Sequence, residues 1–289
     1  MSVIDPNLRI DSVGLAVSDL PRSVDFYERL LGLPLLSNDD EIAWLGPDRE
    51  HPALELRRLG DPTPASPRST GLFHVAWLHP TREALAATVR RIAAGGWGFD
   101  GASDHGVSEA LYLSDPDGLG IEIYVDRPRD RWERGADGKG VRMYTAPLDL
   151  EDLLAQSTEQ PPGAIAPGSG IGHIHLKVAE VPRANAFYRD VLGFEEQAEI
   201  PSAAFLSAGG YHHHVGLNSW QSQGGAPAPE SAPGLRRVSF ELSGPEALEE
   251  LERGVADTSG NGSSEAVREE EKRLSLRDPD GQLLVFGAP

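Results

Sequence analysis

The feature that most constrains this chain of 289 residues is a supersecondary unit that it contains four times. The stretch "DLPRSVDFYERLLGL" (19–33) returns 161 positions later as "EVPRANAFYRDVLGF" (180–194). Both stretches have proline in the first helical turn and glycine where the helix should end, so each predicts a helix. A β-rich stretch precedes each of them. Such units must stack or pair, because one unit cannot bury its own apolar face.

A second pair of similarities, at an offset of 163 positions, completes the pattern. "GLFHVAWL" (71–78) matches residues 234–242, and "LSDPDGLGIEIY" (113–124) matches "LRDPDGQLLVF" (276–286). The shared "DPDG" is a turn signal between two strands. Each unit is therefore predicted to contain a strand, a helix and about three further strands. The four units cover residues 8–60, 70–127, 168–220 and 233–289.

This order of elements predicts an α+β fold built from four βαβββ units. Units 1 and 2 fall in residues 1–127, and units 3 and 4 fall in residues 168–289. Residues 128–167 form a connection that contains the amphipathic helical stretch "LDLEDLLAQ".

Composition excludes several classes of function. The formal net charge of −19 would repel nucleic acid and anionic membranes, so neither is expected as a partner. The chain has no apolar run near the ~18 residues of a membrane span, and its first residues lack the pattern of a signal peptide, which predicts a cytoplasmic protein. It has no cysteine, so any metal must be bound by histidine, aspartate or glutamate.

Three stretches of this sequence resemble one known family. They are "DHGVSEALYLSDPDGLGIEIYVDRPR" (104–129), "GHIHLKV" (172–178) and "GGYHHHVGLNSW" (209–220). Together with the paired βαβββ units, they resemble the vicinal oxygen chelate superfamily, which includes glyoxalase I, bleomycin-resistance proteins and type I extradiol dioxygenases. Among these, the bacterial catechol 2,3-dioxygenases are the most similar. The resemblance implies that two units form a cupped, incomplete β-barrel around a metal, giving two such cups in this chain.

The resemblance also implies which residues bind the metal. The expected ligands lie on the first strand of a unit and four residues after the glycine of "DPDG", and they are His74, Glu122 and His173. The same positions in the other two units hold residues that cannot form a site, namely Ser12, Arg237 and Val285. Two imidazoles and one carboxylate form the facial triad of non-heme Fe(II) enzymes. The expected cofactor is therefore Fe(II), with Mn(II) as the alternative.

Tyr112 stands ten residues before Glu122, which is the spacing of the active-site tyrosine in extradiol enzymes. By that resemblance, Tyr112 binds a substrate oxygen and assists proton transfer. His105 is either a group that supports the site or a loop histidine bound to solvent.

The tract His212–His214 raises a question of register. On an extended strand, His212 and His214 would share one face and His213 would lie on the other. The motif "H-x-V-G-L" favours His213 as the acid/base that protonates bound oxygen, whereas the position of the fourth ligand in glyoxalase-like proteins favours His214. One of these two is expected to reach the metal, and the other histidines of the tract are expected to be structural.

The ligands also predict which units pair. Ligand distances near 2 Å require the three donor atoms to converge. Units 2 and 3 must therefore pair around the metal, while units 1 and 4 form a metal-free cup. The alternative is a site shared between two chains.

The leading functional prediction is an Fe(II)-dependent extradiol dioxygenase that opens catechol or a substituted catechol with O2. Its partners are a small aromatic diol and O2, and a homo-oligomer is compatible with repeats of this type. One alternative is a glyoxalase-type isomerase or lyase that uses Ni, Zn or Mn as a Lewis acid. The other is a metal-free antibiotic-binding protein.

Overall fold

The structure, a computed structural model, describes residues 3–135, 138, 140–157, 163–259, 267–268 and 273–289. In this part of the chain, the strands form two eight-stranded sheets, with helices between the first and second strands of each unit. Each unit has the order βαβββ, and the α+β prediction is confirmed.

The first sheet is made by units 1 and 4. Unit 1 supplies β1 (Arg9–Val17), α1 (Leu20–Phe26), β2 (Leu35–Asn38), β3 (Ile42–Leu45) and β4 (Leu54–Arg58). Unit 4 supplies β13 (Gly234–Glu241), α5 (Pro245–Ser259), β14 (Val267–Arg268), β15 (Arg273–Arg277) and β16 (Leu283–Gly287). The strand order is β14-β15-β16-β13-β1-β4-β3-β2.

The second sheet is made by units 2 and 3. Unit 2 supplies β5 (Gly71–His79), α2 (Arg82–Ala94), β6 (Gly101–Asp104), β7 (Ser108–Ser114) and β8 (Gly120–Asp126). Unit 3 supplies β9 (Gly170–Lys177), α4 (Val181–Ala186), β10 (Glu195–Ile200), β11 (Ala203–Ser207) and β12 (Val215–Asn218). The strand order is β10-β11-β12-β9-β5-β8-β7-β6, so the units containing the three expected ligands share one sheet.

The helices that follow β1 and β9 show why the repeated stretches fold alike. Asp19 precedes α1 and its side chain accepts a hydrogen bond from the backbone N–H of Arg22, which satisfies one free donor of the first turn. Both helices then continue into a π-helical turn, Tyr27–Leu31 after α1 and Phe187–Val191 after α4. The sequence predicted a regular helix here, so the π-helical turns are a difference from that prediction.

Each "DPDG" turn joins a unit of one sheet to a unit of the other. The hydroxyl of Tyr27 in unit 1 donates to Asp115 in the turn of unit 2, and the hydroxyl of Tyr188 in unit 3 donates to Asp278 in the turn of unit 4. Both distances are 3.1 Å and all four residues are buried. The two sheets are therefore held against each other by a matched pair of buried hydrogen bonds in addition to their apolar core.

The connection between units 2 and 3 contains a 3₁₀ turn, Arg129–Arg131, and a short helix, α3 (Leu150–Ala155). The predicted helix of the connection is thus confirmed. Among the described residues, no helix is both long and apolar enough to cross a membrane.

Candidate metal centre

The three expected ligands meet over one small residue of β5. Ala76 is paired with Glu122 of β8 on one side and with His173 of β9 on the other, and His74 lies two residues before it on the same face. The alanine methyl group leaves the space above the strand open for these three longer side chains. The convergence therefore follows from strand register together with the small residue at the centre.

A glycine brings β8 close to β5 at this point. A Cβ atom at Gly120 would lie 2.0 Å from the carbonyl oxygen of Phe73, closer than any side chain can approach. Gly120 is two residues before Glu122 on β8, so this close contact between the two strands lies next to the carboxylate.

The ligand atoms of the three residues lie within 4.8 Å of one another. The carboxylate oxygen Oε2 of Glu122 is 2.9 Å from Nε2 of His74 and 3.2 Å from Nε2 of His173. All three side chains are buried. We call this group the metal triad.

The metal triad fits a metal ion better than it fits a set of internal hydrogen bonds. Nε2 of His74 is buried and, among the described residues, has no hydrogen-bond partner, although the Glu122 oxygen lies only 2.9 Å away. The distance is short but the direction is not that of a hydrogen bond. A buried nitrogen left in this way costs free energy unless another group binds it. A cation between the nitrogens and the carboxylate would satisfy all three.

The electrostatics of the triad also suit a cation. Burial lowers the pKa of His173 to about 4, so its imidazole is neutral at pH 7, which is the form that binds metals. Burial alone would raise the pKa of Glu122, but the two imidazoles facing it lower that pKa well below its ordinary range. A neutral imidazole at His173 and the carboxylate of Glu122 are thus available to a cation.

Tyr112 reaches the same site from β7, where it is paired with Glu122. Its hydroxyl lies 2.7 Å from Nε2 of His105, and Nδ1 of His105 lies 2.8 Å from the carbonyl oxygen of Tyr144. A carbonyl can only accept, so Nδ1 of a neutral His105 carries the proton and Nε2 accepts from Tyr112. Burial and the charge of Glu122 raise the pKa of Tyr112, which keeps it a phenol. The structure therefore places His105 against Tyr112.

The tract His212–His214 is not part of a strand, and the extended arrangement considered for it is wrong. β12 begins only at Val215. Two glycines with positive φ angles, Gly209 at 60° and Gly210 at 66°, turn the chain just before the tract. This turn breaks the alternation of an extended strand, so neighbouring histidines do not simply face opposite ways.

His213 and His214 consequently have different surroundings. The ring of His213 is buried with its centroid 4.1 Å from that of His173, whereas Nδ1 of His214 accepts a hydrogen bond from the backbone N–H of Ala208. Burial lowers the pKa values of both histidines, to about 3 for His214. His213 lies beside the metal triad, and His214 closes the turn behind it.

Two residues near the triad were missed by the sequence reasoning. His175 lies two residues after His173 on β9, its ring centroid is 5.0 Å from that of His74, and its Nε2 is buried. Asp126 lies four residues after Glu122 on β8 and contacts His212 at 2.9 Å. The signal was present in both cases, because every second residue of a strand points to the same side.

Comparison with known proteins places this chain in a class. Residues 9–123 and 170–286 match the model of the Glyoxalase/Bleomycin resistance protein/Dioxygenase superfamily, and the chain belongs to that superfamily. A catechol-2,3-dioxygenase from Bacillus subtilis (strain 168) is 38% identical to it over 290 residues, which cover 99% of both proteins.

Two solved structures show the same fold at low sequence identity. A protein from Bacillus subtilis has a TM-score of 0.64 and 14% identity, with 99% of this chain and 86% of that chain covered. Glyoxalase I from Zea mays has a TM-score of 0.58 and 17% identity, with 98% and 92% covered. These similarities confirm the prediction of two cupped, incomplete barrels.

Proposed function

We propose that this protein is an Fe(II)-dependent extradiol dioxygenase that opens catechol or a substituted catechol with O2. The observation that supports this most strongly is the metal triad, two imidazoles and a carboxylate, within a chain 38% identical over its full length to a catechol-2,3-dioxygenase. That donor set suits non-heme Fe(II) and leaves coordination positions open for small molecules. Mn(II) accepts the same donors.

In this proposal His74, Glu122 and His173 hold the metal, which would supply a binding point for the two vicinal oxygens of the catechol and for O2. The protein's own residues then hold the substrate and move its protons. A cleft of about 1140 Å³ between the two sheets is lined in part by Phe73, His74 and Tyr112, and provides the route to the triad.

Tyr112 relays a proton from the catechol, accepting it as its own hydroxyl proton passes to Nε2 of His105. Because its own hydroxyl hydrogen points to Nε2 of His105, the lone pairs of the Tyr112 oxygen remain free to accept from a substrate hydroxyl. A proton passed to Tyr112 can leave through His105, which is only partly buried. The pair thus forms a path from the buried site toward solvent.

His213 supplies the proton transfer on the other side of the site. It is neutral and buried beside His173, so its nitrogen can take a proton from the substrate and then return that proton to oxygen. A positioned histidine typically contributes 10²–10⁴-fold to such a step. His214 is assigned to the turn because its ring nitrogen already accepts from Ala208.

The second candidate is a glyoxalase-type isomerase or lyase. The position of His213 favours it, because a third imidazole beside the triad could become a fourth ligand. Such an enzyme would work with a Lewis-acidic metal and would not consume O2.

The test is anaerobic reconstitution of the full chain with Fe(II), followed by catechol and then air. We expect a yellow ring-opened semialdehyde, formed only after O2 is admitted, and uptake of about one O2 for each catechol. Parallel samples with Mn(II) and Zn(II) decide between the metals. Metal binding without O2 uptake in every sample would contradict the dioxygenase and favour the isomerase.

A further inference from the structure

A chain of hydrogen bonds runs from Asp126, which is partly exposed at the end of β8, to His213. Oδ1 of Asp126 is 2.9 Å from Nε2 of His212, and Nδ1 of His212 is 2.7 Å from Nδ1 of His213. His212 is completely buried and His213 is nearly so. Neither Asp126 nor His212 belongs to the metal triad.

We propose that Asp126 and His212 are positioning residues that hold His213 in the tautomer with its hydrogen on Nδ1, leaving Nε2 for proton transfer in the metal site. Only one part of this proposal, the role of His213 in proton transfer, rests on the proposed function. The orientation of the three side chains does not depend on that role.

The tautomers follow from what each atom can donate. The carboxylate of Asp126 only accepts, so Nε2 of His212 must carry the hydrogen between them. A neutral His212 then has a bare nitrogen at Nδ1, which accepts from His213. His213 must therefore donate from Nδ1, and its Nε2 is the nitrogen without a hydrogen. A carboxylate orients a catalytic histidine in this way in serine proteases as well.

A second contact fixes the carboxylate itself. The hydroxyl of Tyr211 donates to the same Oδ1 of Asp126 at 3.2 Å, and it lies 2.7 Å from the hydroxyl of Tyr124. The ring of Tyr124 in turn packs against His173, with centroids 4.9 Å apart. Tyr124 fits there only because residue 172 is glycine, since a Cβ atom would lie 1.8 Å from the tyrosine hydroxyl. The carboxylate is thus held by two donors.

The sheet without the triad has no such chain. The residue 161 positions before His212 is His51, whose side chain is exposed and pairs with Asp48 three residues away. The position equivalent to Tyr124 in the other sheet is Gly287, which has no side chain. The Asp126–His212–His213 chain is therefore present only beside the metal triad among the described residues.

The first test measures the tautomers directly in the metal-free full chain at pH 8, using ¹⁵N-labelled histidine and long-range ¹H–¹⁵N NMR, with His212→Gln and His213→Gln to assign the signals. We expect hydrogen on Nδ1 of His213 and on Nε2 of His212. Asp126→Ala should shift His213 toward the Nε2–H tautomer, while Asp126→Asn, which keeps an acceptor oxygen, should retain the wild-type tautomer. Asp48→Ala is the matched control and should change neither residue. Hydrogen on Nε2 of His213 in the wild type, or no change in Asp126→Ala, would overturn the proposal.

The second test uses kinetics of the Fe(II)-loaded protein. Asp126→Ala should lower kcat on the order of 10-fold or more, the scale seen for residues that orient a functional histidine, with KM and iron content unchanged. In the His213→Ala background the same substitution should have no further effect on kcat, because Asp126 acts through His213. An equal loss of kcat in both backgrounds would mean a purely structural role and would overturn the proposal.

The two tests separate failure of this proposal from failure of the proposed function. If the wild-type protein opens no catechol, the dioxygenase is contradicted. The NMR measurement, which needs neither metal nor substrate, then decides the tautomer of His213 by itself.

Discussion

The two sheets of this protein share one topology, but different residues lie at the centre of each cup. In the sheet of units 2 and 3, the centre holds the metal triad. In the sheet of units 1 and 4, the corresponding positions hold Ser12, Arg237 and Val285. There the guanidinium of Arg237 donates to Glu55 at 3.0 Å and lies over the ring of Trp44 at 5.7 Å.

The difference shows that the centre of a duplicated sheet can hold either a set of metal-binding side chains or an ion pair. Glu55 lies on β4, whose counterpart β12 has Gly216 at the equivalent place. The absence of a side chain at Gly216 makes room for His175, since a Cβ atom there would lie 2.8 Å from its ring. One cup thus leaves imidazole nitrogens of His74 and His175 without a partner among the described residues, while in the other the guanidinium of Arg237 is paired with Glu55.

The largest effect should come from removing a ligand. His173→Ala should reduce bound iron from about one per chain to almost none and abolish catechol cleavage, because two remaining donors cannot complete the site. Metal analysis of the purified protein, with a turnover assay, measures both. Ser12→Ala, at the equivalent position of the other cup, should keep full iron content. Full iron content in His173→Ala would remove His173 from the site.

A smaller loss should follow from removing the proton-transfer groups. Tyr112→Phe and His213→Ala should each keep iron but lower kcat on the order of 10²-fold. Tyr27→Phe is the control, because it removes another buried tyrosine hydroxyl, one that donates to Asp115 and not to a residue of the metal triad, and it should leave kcat unchanged. Normal turnover in both site variants would mean that groups other than Tyr112 and His213 transfer the protons.

The ion pair of the metal-free cup can be broken without touching the metal. Arg237→Leu leaves the buried Glu55 with only the partly exposed Arg57, and should lower the free energy of unfolding by about 2 kcal/mol, below the full cost of an unpaired buried charge. Urea unfolding measures this. The double variant Glu55→Leu/Arg237→Leu should recover most of the loss. Iron content should stay at the wild-type value, and a loss of iron would show that the two cups are coupled.

The last effect concerns acid stability. Burial lowers the pKa of His79 to about 4 in the folded chain, whereas its ordinary value is 6.5. As the pH drops, His79 is therefore protonated in the unfolded chain before it is protonated in the folded chain. The free energy of unfolding falls as the pH drops from 6.5 toward 4. For one such group, the free energy of unfolding changes by at most about 1.4 kcal/mol per pH unit.

The other sheet supplies the comparison, because the counterpart of His79 is the buried Leu242. His79→Leu should flatten the dependence of the urea midpoint on pH between 6.5 and 4, relative to the wild type. The substitution removes a hydrogen bond to Thr88, so its effect at pH 7.5 should be measured and subtracted. An unchanged pH dependence would exclude His79 as a source of acid sensitivity.

The sequence alone indicated the four units, their α+β class and the three residues that meet in the metal triad. It could do so because these features depend on periodicity and on fixed offsets: proline and glycine mark the repeated helices, and a ligand on a strand keeps its place when the whole unit is duplicated. The substitutions Ser12, Arg237 and Val285 then identified which copies lack the triad, and the need for convergence predicted the pairing of units 2 and 3.

The tertiary structure decided what local periodicity does not encode. Gly209 and Gly210 turn the chain before the three histidines, so the choice between His213 and His214 depends on a turn and not on strand alternation. Asp126 meets His212 across 86 positions, and Ala76 sets the centre of the triad only through its partners on two other strands. Side chains this far apart in sequence are brought together by sheet register and packing, which arise only when the whole chain has folded.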